Sequence, residues 1–401
     1  MTSTPRPRVK QSELRLPGVF VGAGLAVAAG LALSGLLRLL STDTSSAFEA
    51  WLGTLPEDGW SRLLWLASDI TEPQFYASPI ASIGLLIGAL IAWLLQQRQT
   101  RFSGQPIAYG SGLWPWMLTA ASLSIIISNV AFGWMLESGW QPTFVPFVCV
   151  APALVLIYGA GWRIVLTGAV LGSLTTPLAM LLIALVTAPL GLPVVVANTL
   201  SMAIGTTAVF LLARILPWLR MPASTSTEPE RLEDASPRPS PRRTLLGDAV
   251  WTVRRVLCDF TETQFWATEW ASIGLLLGLT AQIALMSILP AYGSDLIPQI
   301  LVAQTLTSAI GVLLWRHLYQ NGGWAPTYVS LVSVAPATVL ATGGALVPLL
   351  FGAVAGAVLC PLVARPISAR LPADFHPFIG NVIAMAVVTA VVVPIAMLLP
   401  Q

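Results

Sequence analysis

The chain carries the stretch Asp69-Ile70-Thr71-Glu72-Pro73-Gln74-Phe75 and repeats it as Asp259-Phe260-Thr261-Glu262-Thr263-Gln264-Phe265, with every position shifted by 190. The acidic, amide and aromatic residues keep their order in the two copies. Each copy leads into an apolar segment that contains Ala-Ser-Ile-Gly, starting at Ala81 and at Ala271. Carboxylates beside a membrane segment are costly to keep. The duplicated motif therefore predicts two related halves that each contribute half of a common site.

Composition predicts an all-α polytopic membrane protein. Hydrophobic residues make up 55% of the 401 residues, charged residues make up only 9%, and the mean hydropathy is +0.77. A soluble protein carries about 25% charged residues. The net charge of +2 is too small to indicate nucleic-acid binding, so the predicted surroundings are a lipid bilayer.

Chemically reactive side chains are few. Cys149, Cys258 and Cys360 each stand alone in apolar sequence, which is typical of buried structural thiols. His317 and His376 are too separate to suggest a metal site, and the sequence has no zinc-protease or nucleophile-elbow motif. We therefore predict neither an enzyme nor a bound cofactor or metal.

About eleven apolar segments are predicted to enter the membrane, where about 20 residues are needed to cross as a helix. They are Pro17–Leu37, Ser78–Leu95, Leu113–Leu136, Phe144–Tyr158, Ile164–Leu190, Pro193–Leu216, Ala271–Leu289, Leu296–Trp315, Tyr328–Leu340, Leu346–Ala364 and Pro377–Leu399. Residues 221–243 are rich in Ser, Thr, Pro, Glu and Arg and are predicted to be a disordered cytoplasmic linker.

The repeat extends beyond the first motif in blocks that keep their order, which indicates gene duplication. The further pairs are Gly139–Phe144 with Gly323–Tyr328, Val150–Ala153 with Val334–Ala337, and Asn198–Ala203 with Asn381–Ala386. The predicted organisation is a tail, first helix and external segment in 1–59, a first repeat in 60–217, the linker in 218–245 and a second repeat in 246–401.

The charge distribution predicts how the two repeats are oriented. Each repeat holds five apolar segments, so a linker on one side of the membrane forces the second repeat to enter from the opposite face. With the N-terminus inside, eighteen of the twenty basic residues lie on the cytoplasmic side, and only Arg38 and Arg62 lie outside. The prediction is one extra helix plus a 5 + 5 inverted repeat in the plasma membrane, with the C-terminus external.

Prolines crowd one short segment of each repeat. Pro142, Pro146 and Pro152 lie in the first, and Pro326 and Pro336 lie in the second. Two structures remain open for these segments. They are either kinked but complete helices, or helices broken at membrane depth, which is tolerated only beside protein or a water-filled cavity.

Glu72 and Glu262 are the strongest candidates for a solute path, with Phe75 and Phe265 three positions further on. That spacing predicts one helical turn and therefore a shared face. A carboxylate accepts N–H bonds from a solute, and a phenyl ring forms a flat wall for a planar one. The alternative is that the glutamates lie among lipid headgroups or cap the following helices.

The other polar residues of the repeated blocks have less specific roles. Asp69 and Asp259 are predicted to be helix caps, since they precede the apolar segments. The remaining candidates for the path are Gln74, Gln264, Asn198, Asn381, Thr143 and Thr327. The glutamines would face a pore or support the glutamates, the asparagines would bind solute or join helices, and the threonines are also typical helix N-caps.

The pattern Glu72-x-x-Phe75, followed by Ser78-Pro79 and Ile83–Gly88, resembles the pore-helix signature of the urea transporter family, and Leu192-Pro193 resembles its Leu-Pro box. The resemblance implies that Glu72 and Glu262 accept urea N–H bonds between the walls formed by Phe75 and Phe265. It also implies a homotrimer with one pore per subunit.

The chain departs from that family at several positions. Pro73 and Thr263 replace an aliphatic residue after the glutamate, and Val196 and Gly380 replace a threonine near the midplane. With a glutamate in both half-sites, the path is expected to be more negative than a Gln/Glu pair, which favours ammonium-, guanidinium- or amidine-like solutes.

Three transport or redox functions follow as hypotheses. The first is a channel-like facilitator of a small polar solute such as urea, a related amide, or an ammonium- or guanidinium-like cation. The second is a secondary transporter of a different solute with proton coupling. The third is a membrane subunit of a redox complex, although the Ser-Gly-Ala-Thr-like flavin site of such subunits is not found.

Overall fold

A computed structural model describes residues 14–41, 45–55, 57–134, 142–220, 244–285, 295–319, 324–372 and 374–401. Within these ranges the chain forms helices and no strand. Eight of the described helices are long and apolar enough to span a membrane, and three more are apolar but shorter, as expected for an all-α membrane protein. The predicted linker segment 221–243 and the motif residues 139–141 and 323 lie outside the described residues.

The helices fall into two series that follow the repeat. Those of the first half are α1 (Leu16–Leu40), α2 (Ser45–Thr54), α3 (Gly59–Ser68), α4 (Pro79–Gln97), α5 (Trp114–Phe132), α6 (Val145–Val148), α7 (Val150–Tyr158), α8 (Trp162–Leu190) and α9 (Val194–Ala213). Those of the second half are α10 (Leu245–Asp259), α11 (Glu269–Leu285), α12 (Ile297–Trp315), α13 (Tyr328–Leu331), α14 (Val334–Ala341), α15 (Leu346–Ser368) and α16 (Phe378–Met397).

Helices α4 and α11, which follow the two copies of the motif, cross at glycines and run antiparallel. A Cβ on Gly84 would overlap the carbonyl oxygen of Gly274, and a Cβ on Gly274 would overlap that of Gly84. Further along, Gly88 faces Ala271, so the residue number falls on α11 as it rises on α4. Only glycines allow two helix backbones to approach so closely. The contact is therefore reciprocal, with each glycine facing the backbone of the other.

The last helices of the two halves, α9 and α16, are also antiparallel. Val194 at the start of α9 and Met397 at the end of α16 line the same cavity. At the other end, the rings of Phe210 and Phe378 have centroids 5.8 Å apart. Two pairs of equivalent helices thus run in opposite directions.

The proline-rich segments are broken helices, which decides between the two structures left open by the sequence. Helix α6 ends at Val148 and α7 begins two residues later, with Cys149 in a non-helical conformation. The break between α13 and α14 falls at the equivalent place, where Ser333 is non-helical. Proline has no N–H to donate to the carbonyl four residues earlier. The helical hydrogen bonding of α6 and α13 therefore does not continue at Pro152 and Pro336.

Helix α1 packs against α10 and α12 of the second half through small residues. A Cβ on Gly22 would overlap the carbonyl oxygen of Ala249, and one on Gly18 would lie 2.6 Å from Asp248 Cβ. The backbone N–H of Arg15 donates to Asp248 Oδ2 at 3.0 Å. The extra helix is therefore part of the second half's core.

We expect Gly22→Leu to loosen α1 from the body of the protein, because the larger side chain cannot fit against the backbone of α10. The expected cost is about 1 to 3 kcal/mol, the usual range for overpacking, measured as a lower melting temperature in detergent. Gly24→Leu is the matched control, since a Cβ on Gly24 meets nothing within 4 Å. Equal melting temperatures for the two variants would contradict the packing described here.

Candidate functional site

The two copies of the motif fold into the same turn, which is not the helical turn that the spacing predicted. Glu72–Gln74 forms a single 3-10 turn, and Phe75 then takes a left-handed conformation with φ of 65°. Phe265 has a φ of 64°. Thr71 Oγ1 accepts the backbone N–H of Ser78 at 3.0 Å, and Thr261 accepts that of Thr268 at 3.3 Å. This closed turn places each glutamate and its phenylalanine beside one cavity.

The first cavity has a volume of about 580 Å3 and contains the Glu72 half-site. Glu72 is 3% exposed and Asn198 is 5% exposed, so neither lies among lipid headgroups. Most of the wall is apolar. The lining residues are Glu72, Pro73, Phe75, Phe144, Val148, Gly191, Leu192, Pro193, Val194, Val195, Asn198, Thr199, Met202, Thr263, Val332, Ala337, Leu340, Ala341, Met385 and Met397.

The second cavity has a volume of about 110 Å3 and contains the equivalent residues of the other half. Glu262, Phe265 and Asn381 correspond to Glu72, Phe75 and Asn198. The lining residues are Gln105, Pro106, Tyr109, Leu156, Arg255, Glu262, Phe265, Ala267, Trp324, Tyr328, His376, Pro377, Phe378 and Asn381. Residues of the opposite half also line each cavity. Among them are two equivalent leucines, Leu340 in the first cavity and Leu156 in the second.

The two cavities lie at opposite ends of α16. Phe378, its first residue, lines the second cavity, and Met397, its last, lines the first. A helix of 20 residues is about 30 Å long, the thickness of the hydrocarbon core. Met202 and Met385 are equivalent residues, and both line the inner wall of the first cavity.

A buried arginine distinguishes the second cavity from the first. Arg255 contacts Asp259 through Nη2 at 2.5 Å and also pairs with Glu262, while its Nε donates to the Tyr319 hydroxyl at 3.2 Å. Arg255 is 6% exposed, so its charge is buried beside the two carboxylates. The sequence predicted a path more negative than a Gln/Glu pair, and Arg255 offsets one of the two negative charges of this cluster.

Glu262 is held by further donors. Trp324 Nε1 donates to Glu262 Oε1 at 2.5 Å, and the Tyr109 hydroxyl lies 3.5 Å from the same oxygen. In the first copy of the motif, Trp65 occupies the position of Arg255, and its Nε1 donates to Thr143 Oγ1 at 2.8 Å. The surroundings of the two glutamates therefore differ although the motif is the same.

The aspartates do not cap the helices after them, so that prediction is wrong. Asp69 follows the last residue of α3 and accepts from Asn129 Nδ2 at 3.0 Å. Asp259 ends α10 and accepts from Ser308 Oγ at 2.5 Å and from Thr327 Oγ1 at 2.9 Å. The 3-10 turn separates each aspartate from the next helix, and Ser78 caps α4 by accepting the N–H of Ala81.

Gln74 and Gln264, which occupy equivalent positions of the two motif copies, bind each other. Each Nε2 donates to the other side chain's Oε1, at 3.0 and 3.1 Å. Gln74 Nε2 also donates to the Phe260 carbonyl at 2.7 Å. Neither side chain is among the residues that line the two cavities. The glutamine pair joins the halves between the cavities, and Thr143 and Thr327 likewise lie outside the cavity walls.

The two asparagines face their cavities in different hydrogen-bonding states. Asn381 is hydrogen-bonded to the Tyr328 hydroxyl. The residue equivalent to Tyr328 is Phe144, which has no hydroxyl. Asn198 Oδ1 is buried and has no hydrogen-bond partner in the described part of the chain. The first cavity thus contains an unsatisfied acceptor that the second does not.

His376 adds no positive charge to the second cavity at neutral pH. It lies in the loop before α16, and burial lowers its pKa to about 4. Its Nδ1 accepts the backbone N–H of Phe378 at 3.2 Å, which requires that nitrogen to be unprotonated. Arg255 is therefore the charged basic group of this cavity.

The predicted path residues that reach a cavity are Glu72, Phe75, Asn198, Glu262, Phe265 and Asn381. Sequence reasoning missed Arg255, Trp324 and Tyr109. The arginine had a usable signal, since Arg255, Asp259 and Glu262 are spaced by four and three residues, which is typical of one helical face. Trp324 and Tyr109 come from loops, and no local pattern places them near Glu262. In comparisons with protein-family models and with curated proteins, the chain matches none.

Proposed function

We propose that the protein is a channel-like facilitator that passes a small polar solute with N–H donors between the two cavities. The observation that carries this proposal is the placement of equivalent Glu, Phe and Asn residues in cavities at opposite ends of α16. Intramembrane carboxylates are kept where they serve a path or a partner. The Leu192-Pro193 sequence at the first cavity supports the resemblance to urea transporters, whereas His376-Pro377 at the second cavity departs from the Leu-Pro box of that family.

The proposed layout is one extra helix followed by two five-segment repeats of opposite orientation. The antiparallel pairs α4 with α11 and α9 with α16 support it, because equivalent helices of an inverted repeat run in opposite directions. The N-terminus and the linker would be cytoplasmic and the C-terminus external, in the plasma membrane. The homotrimer rests on the resemblance alone and is part of the same proposal.

The chemistry favours planar solutes that donate hydrogen bonds. The glutamate and asparagine oxygens are acceptors, and Phe75 and Phe265 provide flat apolar faces. Hydrogen bonds to charged groups contribute about 1.5 to 3 kcal/mol each. Urea, small amides and their cationic analogues carry several N–H groups in a plane, so they match both features.

Stopped-flow light scattering of proteoliposomes tests the function directly. We expect urea or an amide to enter faster than into empty liposomes, with ammonium and guanidinium salts measured alongside. Flux equal to that of empty liposomes for all four solutes would refute the proposal.

Glu72→Gln should lower the flux of the preferred solute about tenfold, because a neutral amide is a weaker acceptor than a carboxylate. Asp374→Asn is the matched control. Asp374 is an exposed carboxylate outside the two cavities, whose pKa is held below its ordinary value by the hydrogen bond from Arg214. A flux that falls equally in the two variants would assign the effect to lost charge in general rather than to the cavity.

A second candidate, a proton-coupled transporter, is favoured by the buried Arg255, Asp259 and Glu262 cluster. Buried clusters of ionisable residues mark proton relays in pumps and transporters. An imposed pH gradient across the proteoliposome membrane separates the candidates. Accumulation of solute against its gradient supports coupling, whereas flux that follows only the solute gradient supports the facilitator.

A further inference from the structure

We propose that the first cavity binds amphipathic organic amines and amidines, with a planar N–H-bearing head at Asn198 and Glu72 and an apolar body against the remaining wall. This goes beyond passage of a small solute, since such a ligand would occupy the cavity and block it.

The size and lining of the first cavity indicate a ligand larger than urea. Its volume of about 580 Å3 lies within the 300 to 1,000 Å3 typical of sites for drug-sized molecules. A solute of a few heavy atoms fills only a small part of that space. The wall beyond the glutamate and asparagine is mainly aliphatic side chains and methionines, which are flexible and polarisable and adapt to varied apolar shapes.

Asn198 supplies the specific polar contact. Its Oδ1 is buried without a partner among the described residues, and leaving a buried acceptor unsatisfied is unfavourable. A ligand N–H that reaches this oxygen removes that penalty on binding. The carboxylate of Glu72 belongs to the same wall and favours a positively charged head, as in an amidinium or ammonium group.

Aromatic residues favour a planar head. Phe75 and Phe144 line the cavity together with Glu72 and Asn198. A cation is attracted to the face of a phenyl ring, and the attraction is stronger where water is excluded. An amidinium group can face a ring and still direct its N–H groups towards oxygens at its edge.

The second cavity lacks the features that make the first a site. It has about one fifth of the volume, and the cation of Arg255 is part of its lining, which disfavours a second cation there. We therefore expect one binding site per chain.

Isothermal titration of the purified full-length protein with 4-butylbenzamidine tests the proposal. We expect saturable binding of one molecule per chain. Asn198→Leu, which removes the acceptor at similar volume, should weaken the affinity at least tenfold. Phe144→Tyr should weaken it similarly, because the new hydroxyl places a polar group in the cavity that can donate to Asn198 Oδ1 in place of the ligand.

Tyr328→Phe is the matched control, since it removes the equivalent hydroxyl from the second cavity and should leave the affinity unchanged. Melting temperatures would establish that every variant is folded. No saturable binding to the wild-type protein, or an affinity of the Asn198→Leu and Phe144→Tyr variants equal to that of the wild-type protein, would overturn the proposal. Because binding is measured without transport, solute flux in the absence of binding would refute this inference and leave the facilitator function standing.

Discussion

Gly84→Leu is expected to prevent stable folding, or to lower stability by about 3 kcal/mol or more, which is at the upper end of overpacking effects. The side chain would have to enter the space held by the Gly274 carbonyl group. Backbone cannot rotate aside as a flexible side chain can, so the whole crossing of α4 and α11 would have to open. That movement would also pull apart the Gln74 and Gln264 pair.

The yield of monodisperse protein and its melting temperature in detergent measure this effect. Ile83→Leu is the control, since Ile83 is the preceding residue on α4 and is 55% exposed. Gly274→Leu should reproduce the defect because the contact is reciprocal. A Gly84→Leu variant as stable as Ile83→Leu would show that the helices do not cross at these glycines.

Arg255→Met should be the other strongly destabilising substitution. It leaves Asp259 and Glu262 as buried carboxylates, 0% and 1% exposed, without their cation. Breaking a buried ion pair from one side typically costs about 3 to 5 kcal/mol, since the remaining charge is uncompensated. We expect a large fall in the melting temperature at neutral pH.

Removing both carboxylates together with the arginine should restore stability. The triple variant Arg255→Met, Asp259→Asn, Glu262→Gln has no unpaired charge, and neutral replacement of buried ion clusters is often tolerated. A triple variant as unstable as Arg255→Met would mean that the arginine acts through packing rather than charge.

Apolar segment length, the internal repeat and the positions of prolines predicted part of the fold. Apolar length predicted the membrane helices, and the duplicated motif predicted that Glu72 and Glu262 occupy equivalent places. The prolines predicted either a kink or a break in the two short segments, and the structure has a break in each, since the missing N–H acts on a carbonyl only four residues away. These features follow from local backbone chemistry, so they could be read from the chain alone.

Features that depend on three-dimensional neighbours could not be predicted in this way. Helices α3 and α10 were not predicted, because they are too short or too polar to resemble membrane-spanning segments. The spacing of Glu72 and Phe75 suggested a helix, although a left-handed phenylalanine brings both to the cavity. Whether Asn198 Oδ1 has a hydrogen-bond partner depends on neighbours such as Phe144, which are far from it in the sequence.

The reciprocal contact of Gly84 with Gly274 is one that two copies of a single half could make with each other. In an isologous contact, residue i of one unit meets residue j of the other and the reverse. A one-half ancestor that inserted in the membrane in both directions would therefore already have possessed this interface. In the proposed inverted repeat, fusion would fix one half in each direction and would allow the residues at positions 65 and 255 to diverge into Trp65 and Arg255.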